Sequence, residues 1–336
     1  LCFLMNALIE PLMTMFISLI GLLISSHIAI RNTIKVSEIT GLEKSRIGFT
    51  FVATSTSLPE LAVAFFSAIS GEGAVSVGNV LGSNVANVCL IIGLGLILYS
   101  LKPGRKKLKG IIFKPEELDM LYLGIFVASI IPILLISFLP AGRIVGLLLI
   151  IIYVYYTFEI ISKKELPLED SAEQFKAMNL KVSKKLIFYL ILAFLGIIGV
   201  IISADFLVDA TVNIALIAGV SPYIISATII AVGTSFPELS LDIQAMLKEH
   251  ATLAFGDVIG SCFTNITLIL GVTLLFSPIT ISIKIFSDLV TFSILANIVL
   301  WYLMHKGKFG FREGFLLLLL YILFLLSIMG VIILPE

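Results

Sequence analysis

The sequence predicts an all-α polytopic membrane protein of about ten transmembrane helices, arranged as two inverted five-helix repeats with broken helices in mid-membrane. Three observations predict it. The composition is too apolar for a soluble domain: 59% of the 336 residues are hydrophobic and 13% are charged, against roughly 45–50% and 25% in soluble proteins. Several uncharged apolar runs reach the ~20 residues that cross a bilayer as helix. One polar pentapeptide, embedded in such runs, occurs once in each half of the chain.

The spanning helices are expected at 11–31, 46–70, 74–100, 118–138, 142–162, 185–208, 222–247, 251–276, 282–304 and 313–333. Orientation follows from Lys and Arg, which gather on the cytoplasmic side of membrane proteins. With the N-terminus outside, the inner segments are 31–46, 101–117, 163–185, 248–250 and 305–313. They hold 20 of the 22 Lys and Arg residues, all but Arg143 and Lys284. Both termini are then outside and the 163–184 loop is cytoplasmic, with residues 1–162 and 185–336 as the two repeats. That loop is too short for a folded regulatory domain. The first residues lack a basic stretch and a small-residue cleavage site, so no signal peptide is expected. The expected location is the cell membrane, multi-pass.

The repeat has an offset of 178 residues. It carries Thr56-Ser57-Leu58-Pro59-Glu60 onto Thr234-Ser235-Phe236-Pro237-Glu238, and Ala53 onto Ala231. It also pairs Gly78, Gly82, Ser83 and Asn87 with Gly256, Gly260, Ser261 and Asn265. Chance alignment of apolar segments matches Leu, Ile and Val, not Pro, Glu, Ser, Asn and Gly in register. Five helices per half is an odd number, so the second half enters from the opposite side. In such folds ion sites lie near the midplane, at the repeat interface.

The chemistry of the repeated segments agrees. Pro59 and Pro237 lack an N–H, so the carbonyls of Ser55 and Gly233 lose helical partners and the chain before each proline can unwind. The hydroxyls of Thr56, Ser57, Thr234 and Ser235 are expected to cap the helices that follow. Glu60 and Glu238 fall deep in their spans, and carboxylates at that depth mark ion or substrate paths. Carboxylate, carbonyl and hydroxyl oxygens together suit a hard cation such as calcium; sodium accepts the same atoms. Asn79, Ser83 and Asn87 share a helix face, as do Asp257, Ser261 and Asn265. The glycines four apart allow close helix packing. Asp242, a turn beyond Glu238, has Ala64 as its counterpart and is expected in a cytoplasmic vestibule. Cys2, Cys89 and Cys262 are scattered and read as small buried hydrophobes. No His-Glu-x-x-His occurs, nor a nucleophile–base pair at depth, so no enzyme is expected. A net charge of zero gives no reason to expect nucleic acid.

Two blocks, Ala53 to Glu60 with Gly78 to Asn87 and Ala231 to Glu238 with Gly256 to Asn265, resemble the α-repeats of the cation/calcium antiporter superfamily. The nearest pattern is that of sodium/calcium exchangers of the compact ten-helix prokaryotic kind. The resemblance implies alternating access, with one Ca²⁺ exchanged for about three Na⁺ at a shared cluster of cation sites; Ca²⁺ and Na⁺ are then cargo, with no organic cofactor. It implies that Glu60 and Glu238 are the central carboxylates and that Thr56 and Thr234 give backbone carbonyls. Ser57, Ser83, Ser235 and Ser261 give oxygen ligands, Ala53 and Ala231 join outer sodium sites, and Asn87 and Asn265 fill paired amide or carboxylate positions. The partners it implies are these ions and the lipid bilayer.

The sequence departs from the family pattern in places. Asn265 stands where potassium-dependent relatives have Asp, which resembles potassium-independent exchange. Gly82 and Gly260 stand where proton-coupled relatives carry Glu, which argues against proton coupling. Ser55 replaces a usual Gly. Asp257 replaces a usual Asn, and bears on charge balance. Two glutamates neutralise one Ca²⁺ or two Na⁺; a third Na⁺ needs another ionised acid, for which Asp257 is the candidate. A proton- or potassium-coupled antiporter and a cation channel are the alternatives.

Overall fold

The computed structural model describes residues 2–40, 56–102, 107–108, 115–138, 142–162, 184–248, 251–277, 283–307 and 309–330. Its helices are α1 (Cys2–Thr40), α2 (Leu58–Ile69), α3 (Gly73–Leu101), α4 (Pro115–Phe138), α5 (Gly142–Ser162), α6 (Lys184–Ala218), α7 (Pro222–Thr234), α8 (Phe236–Leu247), α9 (Ala251–Phe276), α10 (Ile283–Lys306) and α11 (Phe311–Ile328). Among the described residues seven helices are long and apolar enough to cross a membrane, and an eighth if α7 and α8 form one span bent by 49°. The protein is a multi-pass helical membrane protein.

Most boundaries fall within a few residues of those expected. The expected span 46–70 is described only from Thr56 onward. α1 and α6 run well beyond their expected ends. The break ahead of Pro237 is narrow. Ser235 alone leaves the helical region, at φ −80° and ψ 12°. Its N–H still bonds to Ala231 O at 3.2 Å, and Leu239 N–H bonds to Ser235 O at 3.0 Å. Ser57, at φ −82° and ψ 12°, has the same shape. Neither serine side chain caps its helix, contrary to the sequence expectation.

Glycines set the close approaches. A Cβ on Gly78 would lie 2.6 Å from Tyr223 O, and one on Gly82 would enter the backbone of Ala227. α3 and α7 therefore cross at backbone distance, the packing that small residues four apart permit. α1 and α6 run antiparallel, with Gly21 against Ser203 and Gly199 against Ser25. That pairing is reciprocal, since the repeat offset carries residue 21 onto 199 and 25 onto 203. Asn84 and Cys262, 178 residues apart, also meet each other: Asn84 Nδ2 donates to Cys262 O, and Cys262 Sγ to Asn84 O. Gly93 packs on Gly314 and Gly271 on Gly146.

The surface suits lipid. α5 and α6 expose Ile144, Leu148, Phe158, Phe194 and Phe206, while α3 and α9 are mostly buried. A two-residue antiparallel ladder, β1 (Lys107–Leu108) with β2 (Phe309–Gly310), is the one feature outside the all-α expectation among the described residues. It joins the 101–117 segment to the 305–313 segment. Lys102 Nζ bonds to Leu247 O, the C-terminal carbonyl end of α8, at 3.0 Å. Three lysine-bearing connections thus share one end of the bundle.

Gly82→Ala should destabilise the protein by about 1–3 kcal/mol, because rigid backbone faces the new methyl. Gly142→Ala, whose Cβ meets only ordinary contacts at 3.7 Å or more, should change stability by less than ~0.5 kcal/mol. Thermal unfolding of both variants in detergent tests the pair.

Candidate cation site

The site is built on two hairpins, α2–α3 and α8–α9. In the second, Glu238 stands eleven residues before 249 and Ser261 eleven after 250. Equal counts place them at the same height on the two helices, which pack on each other. Thr234 and Asn265 are level at fifteen residues, Asp242 and Asp257 at seven. Successive rungs are about 6 Å apart at 1.5 Å per residue. About the 71–72 turn the first hairpin repeats this order, with Thr56 and Asn87, Glu60 and Ser83, then Ala64 and Asn79.

Nearly all of these side chains are sealed from solvent. Glu60 and Glu238 are each 1% exposed, and Ser57, Ser83, Asn87, Ser235, Ser261, Asn265 and Asp257 are buried with them. The halves touch through them. Ser235 Oγ donates to Glu60 Oε1 at 3.1 Å, and Thr234 Oγ1 to Asn79 Oδ1 at 3.1 Å. Ser83 Oγ donates to Ala231 O at 3.3 Å, and Asn265 Nδ2 to Asn84 Oδ1 at 3.0 Å. Thr56 is buried at the same break. Ala53 lies outside the described residues.

Buried polar atoms ordinarily find partners. Thirteen buried side-chain atoms among the described residues have none, and ten are oxygens of this cluster. They are Ser57 Oγ, Glu60 Oε2, Asn87 Oδ1, both carboxylate oxygens of Glu238 and of Asp242, Asp257 Oδ2, Ser261 Oγ and Asn265 Oδ1. Among the described residues no Lys, Arg or His is buried to balance the four acids. Converging oxygens without a cationic side chain can hold a hard cation. Asp242 corrects the sequence reading: it is 0% exposed, not in an open vestibule.

α3 and α9 change winding beside the asparagines. Ala86–Ile91 and Asn265–Ile269 are wide, π-helical turns, as is Ser226–Ile230 in α7. Such turns concentrate at functional sites. Residue types alone gave no signal for them. The parts of Asn79 and Asn84 as partners of Thr234 and Asn265 were also missed, though both lie inside the repeated block.

The surroundings are unequal. A cavity of about 610 Å³ separates α1 from α8; Leu23, His27, Thr56, Pro237, Gln244 and Lys248 are on its wall. It approaches the cluster from the lysine-rich end. On the other side Leu58, Ala62, Val63 and Phe66 of α2 pack with Val200, Ala204 and Leu207 of α6 in one apolar cluster.

The sodium/calcium exchanger protein family model matches residues 11–161 and 188–330. The chain belongs to that family. A sodium/calcium exchanger of Methanosarcina acetivorans is 29% identical over 93% of this chain and 96% of its own. Crystals of the sodium-calcium exchanger NCX_Mj superpose with a TM-score of 0.61 at 24% identity, over 94% of this chain and 97% of that one. A crystallised H⁺/Ca²⁺ exchanger gives 0.73 at 16% identity, over 96% and 84%. Both likenesses concern the fold. Ser235 Oγ, from the second half, is hydrogen-bonded to Glu60 of the first.

Ser235→Ala should weaken cation binding about tenfold, since a hydrogen bond to a charged group contributes roughly 1.5–3 kcal/mol. Calorimetric titration of the purified variant with Ca²⁺ reads it directly.

Proposed function

We propose that the protein is a secondary sodium/calcium antiporter exchanging about three Na⁺ for one Ca²⁺, electrogenically and by alternating access. One observation carries this reading: the ten unpartnered buried oxygens around Glu60 and Glu238, with no buried Lys, Arg or His among the described residues. Glu60 and Glu238 are the central ligands. The carbonyls of Thr56 and Thr234 and the hydroxyls of Ser57, Ser83, Ser235 and Ser261 complete the cation shells, with Asn87, Asn265, Ala53 and Ala231 at their edges. Asp257 supplies the charge that a third Na⁺ requires.

In this reading residues 1–162 and 185–336 are inverted five-helix repeats joined by the 163–184 connector. The reciprocal pairings support a twofold relation. So does Asn297 Nδ2 donating to Ser129 Oγ at 3.0 Å, because α4 and α10 correspond at an offset of 168. The change from 178 reflects a shorter connection after α9 than after α3. The charge distribution supports both termini outside. The lysine-rich end is then cytoplasmic, and the cavity beside α8 makes this an inward-facing state. The second reading is a proton- or potassium-coupled calcium antiporter, a mode of exchange compatible with the same fold, since an H⁺/Ca²⁺ exchanger shares it.

The test is ⁴⁵Ca²⁺ uptake by proteoliposomes loaded with Na⁺ and diluted into sodium-free buffer, with parallel K⁺ and pH gradients. Uptake should follow the sodium gradient alone, and fall more than ~100-fold in Glu60→Gln and in Glu238→Gln, as losing one charged partner of a buried pair costs roughly 3–5 kcal/mol. Uptake driven by the pH gradient would overturn sodium coupling, and uptake without any counter-ion gradient would overturn antiport. Asp257→Asn should shift the reversal potential away from three-to-one exchange; an unchanged potential would remove Asp257 from the sodium shell.

A further inference from the structure

The third rung of the two hairpins breaks the symmetry. In the first half it is Ala64 with Asn79, and the unpartnered atom there is a donor, Asn79 Nδ2. In the second half it is Asp242 with Asp257. Asp242 is 0% and Asp257 3% exposed, and three of their four carboxylate oxygens have neither a partner nor solvent. The two acids stand level on packed antiparallel helices, six residues from Lys248 and from Ala251 respectively. That is about 9 Å inside the lysine-rich end. Each is about one turn from the Glu238–Ser261 rung.

Ionised together in a low-dielectric interior, Asp242 and Asp257 would repel strongly. Removing ionised carboxylates from water is also costly unless they are paired or bind a cation. Among the described residues no Lys, Arg or His is buried to offset their charge. We propose that Asp242 and Asp257 form a second divalent-cation station on the α8–α9 side of the Glu60–Glu238 pair, with no equivalent on the α2–α3 side. It rests on the reading of the central pair as a calcium site, from which it is separate by one rung. Four buried carboxylates then match the charge of two divalent cations. A cation arriving from the lysine-rich end would shed water at this station before reaching Glu238. Asp257 serves it when Ca²⁺ is bound and the third Na⁺ in the sodium-loaded state. Asp242 has no counterpart in the first half, so the station makes calcium capture at the two faces unequal.

The experiment is equilibrium dialysis of the full chain, purified in detergent, with ⁴⁵Ca²⁺ and no sodium. The wild type should bind two Ca²⁺ per chain. Asp242→Asn with Asp257→Asn should bind one. Glu60→Gln with Glu238→Gln should also retain one, which tests the station even if the first double variant fails to fold. One Ca²⁺ per chain in the wild type, unchanged by the aspartate pair and abolished by the glutamate pair, would overturn the station and leave the central site intact. Binding abolished by the aspartate pair but unaffected by the glutamate pair would uphold the station and sink the central reading.

Discussion

Everything at the centre of this bundle depends on the cost of holding carboxylates away from water without a basic partner. Glu60, Glu238, Asp242 and Asp257 are all buried, and no Lys, Arg or His is buried with them among the described residues. Each unmatched charge costs several kcal/mol even after relaxation. Such groups either take up protons or meet positive charge supplied from outside the chain. Ordinary core packing would put apolar side chains at these positions and gain stability. The cluster is therefore a functional expense, carried by the surrounding apolar helices.

The packing that carries it is unusually close. Gly78 and Gly82 let α3 meet the backbone of α7, which brings Ser83 against Ala231 and Thr234 against Asn79. At that separation oxygens from both halves converge on one volume. With a larger residue at 82 the helices would part, and the oxygens would belong to two half-sites. Small residues and the acidic cluster are thus one design seen at two distances.

Much of this was legible in the sequence, because charge and proline are conspicuous in apolar runs. Glu60 and Glu238, their serines and threonines, and the level of the breaks all followed from one repeated pentapeptide. Helix ends were legible to within a few residues where a polar loop flanked them. They were not for α1 and α6, whose helices continue past the membrane's thickness with no sequence break to stop them. The π-helical turns at Asn87 and Asn265 were invisible, since a winding change depends on which neighbours satisfy the backbone. Asp242 was misread for a related reason. Its distance from Glu238 said where it lay along the helix, but its burial depends on α3 and α9 closing over it. The expected hydroxyl cap failed at Ser235 because its N–H kept a bond to Ala231 O and its side chain turned to Glu60 of the other half; Ser57 has the same backbone shape, and its hydroxyl has no partner.

In the proposed transport cycle, the asymmetry within the pseudo-symmetric frame supplies the two states. Ser235 holds Glu60, while the equivalent Ser57 and Glu238 are both without partners. Beside α8 there is a cavity; beside its counterpart α2 there is tight apolar packing on α6. The two differences agree, since the helix that stands away from its neighbour carries the glutamate without a bond. Because the halves share sequence and packing, exchanging these roles creates no new kind of contact: Ser57 would hold Glu238, α8 would close on α1, and α2 would leave α6. Two states built from the same contacts differ little in energy, so bound cations can decide between them. A ligand shifts such an equilibrium only by its differential affinity, and in the proposed cycle that difference would lie in whether both glutamates can turn to the ion at once. The extra aspartates on one side add a bias to this balance that perfect symmetry could not provide.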